Sequence, residues 1–178
     1  MGPAVEMSRQ EAQRIVTTDR NTYPRIPIFW KRCTELIYDM CDPTKVGTKY
    51  GPLTIGHEKL IMPNGLALEY PGLRKYNGEG YDGRNGFIKL YGGKLAENIT
   101  QALARIVITD ALLRVQEYIR PFGGNVVLTV HDELVILGPK ENADEHMERI
   151  HELTVQNPTW CLDLPLEAEG GYAKEYSK

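Results

Sequence analysis

The sequence predicts an α+β fold, an antiparallel sheet holding a hairpin at residues 126–137 and backed by two helices, at about residues 95–119 and 141–153. Three observations carry this. Val126-Val127-Leu128-Thr129-Val130 and Leu134-Val135-Ile136-Leu137 are short β-branched runs separated only by His131-Asp132-Glu133, which reads as two strands and a tight turn. Residues 95–119 are apolar around most of a helical circumference. Residues 141–153 place Ala143, Met147, Ile150 and Leu153 on one face and a run of acids on the other.

At 178 residues, the chain makes one domain, or a domain with a small appendage, and can bury a real core. Its apolar and charged fractions, 42% and 25%, are those of globular proteins, and no apolar run approaches the ~20 residues of a membrane span. The opening residues 1–6 show neither a basic leader nor a signal-type apolar stretch. Cys33, Cys41 and Cys161 are odd in number and lack CxxC spacing, the usage of reduced thiols in a cytoplasmic protein. The net charge of −3 argues against nucleic-acid binding by bulk positive field. Between Arg74 and Arg120, however, eight basic residues face five acidic ones, so the middle is a candidate polyanion-facing region.

In chain order, Ser8-Arg9-Gln10-Glu11 fits a capping box and starts a helix to about Asp19. After the prolines at 24 and 27, Phe29, Trp30, Cys33, Leu36, Ile37 and Met40 recur at helical spacing and read as core. Residues 42–86 read mainly as loop, with one hairpin around Asn64-Gly65. The glycine-rich run 77–86 follows no apolar strand and opens no helix, so it reads as a surface loop rather than a phosphate cradle. Residues 87–91 make a strand. Along the long helix Glu97, Gln101, Arg105 and Thr109 stack four residues apart, one polar line on an otherwise apolar element. Asp110, Arg114 and Glu117 read as a solvated, ion-paired face. His146 and His151 are five apart, poor spacing for two metal ligands on one helix. Residues 164–172 offer one more short strand.

The turn is the chemical centre of this pattern. A hairpin tip normally takes Asn-Gly or Asp-Gly, whereas this one carries a His and two carboxylates. With its flanking strands and the preceding helix bearing Glu97-Asn98-Ile99-Thr100-Gln101-Ala102, it resembles the C-terminal part of the palm of family A (Pol I-type) DNA polymerases. The phage members look closest, through residues 91–105 and 60–73, and the resemblance runs from about Ser8 to the end of the chain. It implies a palm sheet with a catalytic hairpin across the whole of 1–178, residues 1–41 being helices that follow the fingers helix. It implies that Asp132 is a Mg²⁺ ligand, that Glu133 supports the metal site, that His131 contacts the primer end and that Gln101 touches the DNA minor groove. Asn98 and Arg105 join it on the DNA-binding helix. Many cellular members have Asn four residues before that Gln; here Glu97 stands there with Asn98 beside it, and either takes that role.

The residue types suit nucleotidyl transfer from a dNTP onto primer-template DNA: Mg²⁺ prefers hard carboxylate oxygens and keeps several waters, so one or two acids on a rigid hairpin suffice. In the family a second catalytic Asp and the dNTP-binding fingers helix lie N-terminal to the matched region. The expected active species therefore includes an N-terminal polymerase fragment as partner, and the isolated chain is expected not to polymerise. Two other readings stand beside this one. A His131-Asp132 phosphohydrolase would need further ligands on helices, for which His57, His146 and His151 have no matching context. A non-catalytic DNA-binding or assembly module would keep the fold without the chemistry.

Overall fold

The structure is a computed structural model describing residues 7–75 and 79–176; residues 1–6, read above for a leader, and Asn77 and Gly78 of the glycine-rich run lie outside them. Four helices and three small antiparallel sheets make a mixed α+β chain, in two compact units, one up to Thr100 and one from Gln101 onward.

In the first unit, helix α1 (Arg9–Thr22) starts where the capping box predicts: the Glu11 amide donates to Ser8 Oγ at 3.2 Å and the Ser8 amide to Glu11 Oε2 at 3.2 Å. Helix α2 (Arg25–Met40) buries Cys33, Leu36, Ile37 and Met40 completely. Trp30, expected in the core, is 37% exposed, so the inward face of the stripe ends one turn short of it. Burial pushes the Cys33 thiol up to about 11, against the opposing pull of Arg32, which makes it an inert core group.

Strands β1 (Lys49–Tyr50), β2 (Leu53–Gly56), β3 (Lys59–Ile61) and β4 (Ala67–Glu69) form an antiparallel meander in that order. Leu53, Ile55 and Leu60 bury their side chains from it. The β3–β4 connection is the predicted Asn-Gly turn, with Gly65 at φ +84°. Part of the glycine-rich run departs from expectation: β5 (Gly80–Gly83) and β6 (Gly86–Lys89) pair as a hairpin with Arg84-Asn85 at its tip. Its glycines hide the alternation that marks a strand, yet they let the strands close up. A side chain at Gly80 would meet the Phe87 ring and the Ile88 carbonyl, so here glycine serves close packing.

Helix α3 (Gly92–Ile119) runs through the boundary between the units. In the second unit it buries Ile106, Ala111, Val115 and Ile119, while Leu113 is 59% exposed; apolar residues around the circumference do not there mean neighbours on every side. Strands β7 (Asn125–Val130) and β8 (Glu133–Leu137) form the predicted hairpin, with a register shift between Val126 and Leu128. Among the described residues it pairs with no third strand, so it is a two-stranded sheet of its own rather than part of a larger one. Helix α4 (Ala143–Thr154) follows.

Arg114, expected in a solvated ion-paired face, instead donates from Nε to the Leu153 carbonyl at 3.1 Å and from Nη2 to the Gln156 carbonyl at 3.3 Å. A cation over the last carbonyls of a helix satisfies groups that have no partner within the helix and meets the negative end of its dipole. The strand expected at 164–172 is absent among the described residues; that segment is irregular. No helix among the described residues is long and apolar enough to cross a membrane.

Candidate active site

The hairpin is fixed on α3 at its base and carries its ionisable residues at its tip. At the base, the Val126 amide donates to Gln116 Oε1 on α3 at 2.8 Å, and Gln116 Nε2 donates to Asn125 Oδ1 at 3.3 Å. The Gly124 amide donates to the Ile119 carbonyl at 3.1 Å. A Cβ on Gly124 would collide with Ile119 Cγ1 and stand 2.7 Å from the Leu137 carbonyl oxygen, so the entry to β7 is packed directly on the end of the helix. Gln116 lies outside the polar line read from the sequence; its role depends on where β7 begins, which no helical spacing reports.

At the tip, Val130 pairs with Glu133, leaving His131 and Asp132 as a two-residue turn. His131 adopts φ +56°. Two-residue hairpin loops need positive φ at the first central position in either favoured type, and His is among the few residues besides Gly, Asn and Asp found there with any frequency. Backbone twist and an ionisable side chain are therefore both obtained at that position, at some strain. We predict that His131→Gly unfolds no more easily than the parent in urea, whereas His131→Ala is less stable than His131→Gly by about 1 kcal/mol, because only glycine escapes the left-handed penalty.

Asp132 is exposed and Glu133 half-buried. The Tyr176 hydroxyl donates to Glu133 Oε2 at 3.2 Å. Gln101 and Arg105 are both exposed on α3, one turn apart on a single face. Asn98 lies in the first unit, half-buried, and its Nδ2 donates to the Tyr70 hydroxyl at 3.1 Å. Burial raises the Tyr70 phenol above its ordinary value, partly offset by that donor, so one Asn98 N–H is committed to a core tyrosine. The second unit thus brings His131, Asp132 and Glu133 together on one turn and Gln101 with Arg105 on one helical face. From Gln101 to Gln116 the helix rises roughly 22 Å at 1.5 Å per residue. Six residues of β7, tied at Gln116, reach roughly 20 Å at 3.3 Å per residue.

Two adjacent carboxylates, one exposed and one half-buried, give hard oxygen donors on a hairpin whose base is held by the Gln116 side chain and the Gly124 amide. That donor set suits Mg²⁺, which needs one or two carboxylates and otherwise retains water or takes substrate oxygens. Among the described residues no group of three or more His, Cys, Asp or Glu side chains is gathered to hold a metal alone. His146 is engaged differently, its Nδ1 hydrogen-bonded with the Tyr118 hydroxyl at 2.8 Å.

Comparison with known proteins finds DNA polymerases. The DNA polymerase of Bacillus phage SP02 is 33% identical over 103 residues, which is 58% of this chain and 15% of that protein. The thermostable DNA polymerase I of Thermus filiformis is 32% identical over 76 residues, 43% of this chain and 9% of that one. Over these stretches the chain is similar to Pol I-type DNA polymerases. DNA polymerase theta of Caenorhabditis elegans is 24% identical over 185 residues, covering 85% of this chain and 11% of the relative. The matched part of this chain spans under a sixth of the length of these relatives. No family model matches the chain, and no solved structure does.

Proposed function

We propose that this chain is the C-terminal palm part of a DNA-directed DNA polymerase, working with primer-template DNA, dNTP and Mg²⁺ together with an N-terminal polymerase fragment. The observation that carries the reading is the exposed Asp132 carboxylate at the tip of a hairpin anchored on α3, in a chain similar to DNA polymerases. In this reading Asp132 is the metal ligand, and Glu133 sets the position and charge beside it. His131 contacts the primer end, while Gln101 and Arg105 line the minor-groove side, with Asn98 continuing that helix. Bound Mg²⁺ supplies charge stabilisation for the attacking and leaving oxygens of nucleotidyl transfer. The chain's own residues orient: the hairpin base holds the turn rigid, and the amide of Gln101 suits contacts that check pair geometry, because minor-groove acceptors are similar for all four base pairs.

One turn with two acids leaves a second metal-holding carboxylate and the cations for the dNTP phosphates to the partner fragment. The 178-residue chain by itself is accordingly expected to extend no primer, and mixing it with an N-terminal fragment carrying those groups is expected to produce Mg²⁺-dependent extension. Extension by the purified chain alone would overturn the partition. Reconstituted extension indifferent to Asp132→Ala would favour the non-catalytic assembly module instead.

A further inference from the structure

The segment after α4 is irregular, yet it is tied down at successive points within the second unit. His151 Nε2, on α4, lies 2.8 Å from the Ala168 carbonyl oxygen; a carbonyl only accepts, so that nitrogen carries the proton. Gly170 lies so close to Met147 that an added Cβ would stand 2.6 Å from Met147 Cε. The Tyr172 hydroxyl donates to Asp144 Oδ1 at 2.8 Å, and this hydrogen bond to a carboxylate is the main cause holding the Tyr172 phenol above its ordinary value. Four residues on, the Tyr176 hydroxyl reaches Glu133 Oε2. The tail thus leads from α4 to the edge of the candidate site, and its last contact is on the acid next to the proposed metal ligand.

We infer that residues 168–176 act as a strap and that Tyr176 is a positioning residue, holding the Glu133 carboxylate in one orientation beside Asp132. The inference deepens the polymerase reading and rests on it for its catalytic consequence, though the strap itself does not. Glu133 is half-buried on a strand end and has several rotamers open to it; a phenol donor selects one, and a hydrogen bond to a charged acceptor is stronger than one between neutral groups. Tyr172, held on Asp144, shortens the free length of chain over which Tyr176 must find its target, which raises its effective concentration at Glu133. No residue of the strap needs to touch DNA or dNTP.

Two measurements test this. In the 178-residue chain, limited trypsin digestion at Lys174 reports release of the strap. Tyr176→Phe is expected to speed that cleavage by about fivefold, as loss of one hydrogen bond of ordinary net strength predicts. Tyr172→Phe is expected to speed it too, and in a Glu133→Ala background Tyr176→Phe is expected to add nothing. Additive effects of Glu133→Ala and Tyr176→Phe, or unchanged cleavage in Tyr176→Phe, would overturn the strap. In the polymerase assembled with its N-terminal fragment, Tyr176→Phe is expected to lower kcat with KM for dNTP unchanged, and again to add nothing to Glu133→Ala. A kcat loss that persists in the Glu133→Ala background would overturn the positioning role. Coupled cleavage with no extension by any combination, parent included, would uphold the strap while removing the polymerase reading beneath it.

Discussion

Replacing Asp132 with Asn in the assembled polymerase is expected to cut primer extension by about a thousandfold or more while leaving the fold untouched. Asn keeps the shape and removes the charge, so the loss measures the charge alone. A carboxylate holding a divalent cation at the reacting phosphate is asked to supply several kcal/mol of transition-state stabilisation, and each 1.36 kcal/mol is about tenfold in rate. Stability should not follow, because Asp132 is exposed at a turn and surface substitutions of this kind stay within about 0.5 kcal/mol. Single-turnover extension with the parent and Asp132→Asn, alongside urea unfolding of both 178-residue chains, separates the two effects. Extension retained within tenfold would remove Asp132 from the metal site; a collapse in stability would show that the side chain had a structural task instead.

Much of the secondary structure is legible in the sequence because it is local. The capping box closes within four residues, Ser8 to Glu11, and the hairpin is announced by β-branched residues on either side of three polar ones. Both are short-range physics. The departures come where the deciding partner is far along the chain. Trp30 fits a helical apolar stripe, but spacing reports which face it shares and nothing about how far the cover extends. The glycines at 80 and 83 read as loop by composition, and become strand because the Phe87 and Ile88 side chains fill the room they leave. Arg114 has acids within a helical turn on either side, yet its hydrogen bonds go to carbonyls 39 and 42 residues away. Gln116 and Tyr176 are illegible as supports of the candidate site for the same reason: Gln116 acts on the hairpin through two hydrogen bonds and Tyr176 through one, and none of the three has a sequence period.

The largest stability effect is expected at Gly92, where α3 begins. A Cβ there would run into the Trp30 carbonyl oxygen and the Thr34 hydroxyl, and would stand 3.0 Å from the Thr34 nitrogen. The Trp30 carbonyl also accepts from Thr34 Oγ1 at 3.2 Å, so the obstacle is helical backbone and a side chain hydrogen-bonded to it, neither of which can swing aside. Helix propensity alone would favour alanine by about 0.5–1 kcal/mol at an interior position and by less at a helix start. Overpacking against backbone opposes it by about 3 kcal/mol and wins. Gly92→Ala is therefore expected to lower the urea midpoint of the 178-residue chain sharply, a large fraction of the 5–15 kcal/mol that holds a typical domain. Gly93 supplies the control: a Cβ there meets only the Tyr91 ring edge, at 3.2 Å from Cε2, and that ring, 55% exposed, can turn away. Gly93→Ala should thus be close to neutral. Equal stability of the two variants would mean that α2 and the start of α3 do not approach this closely in solution.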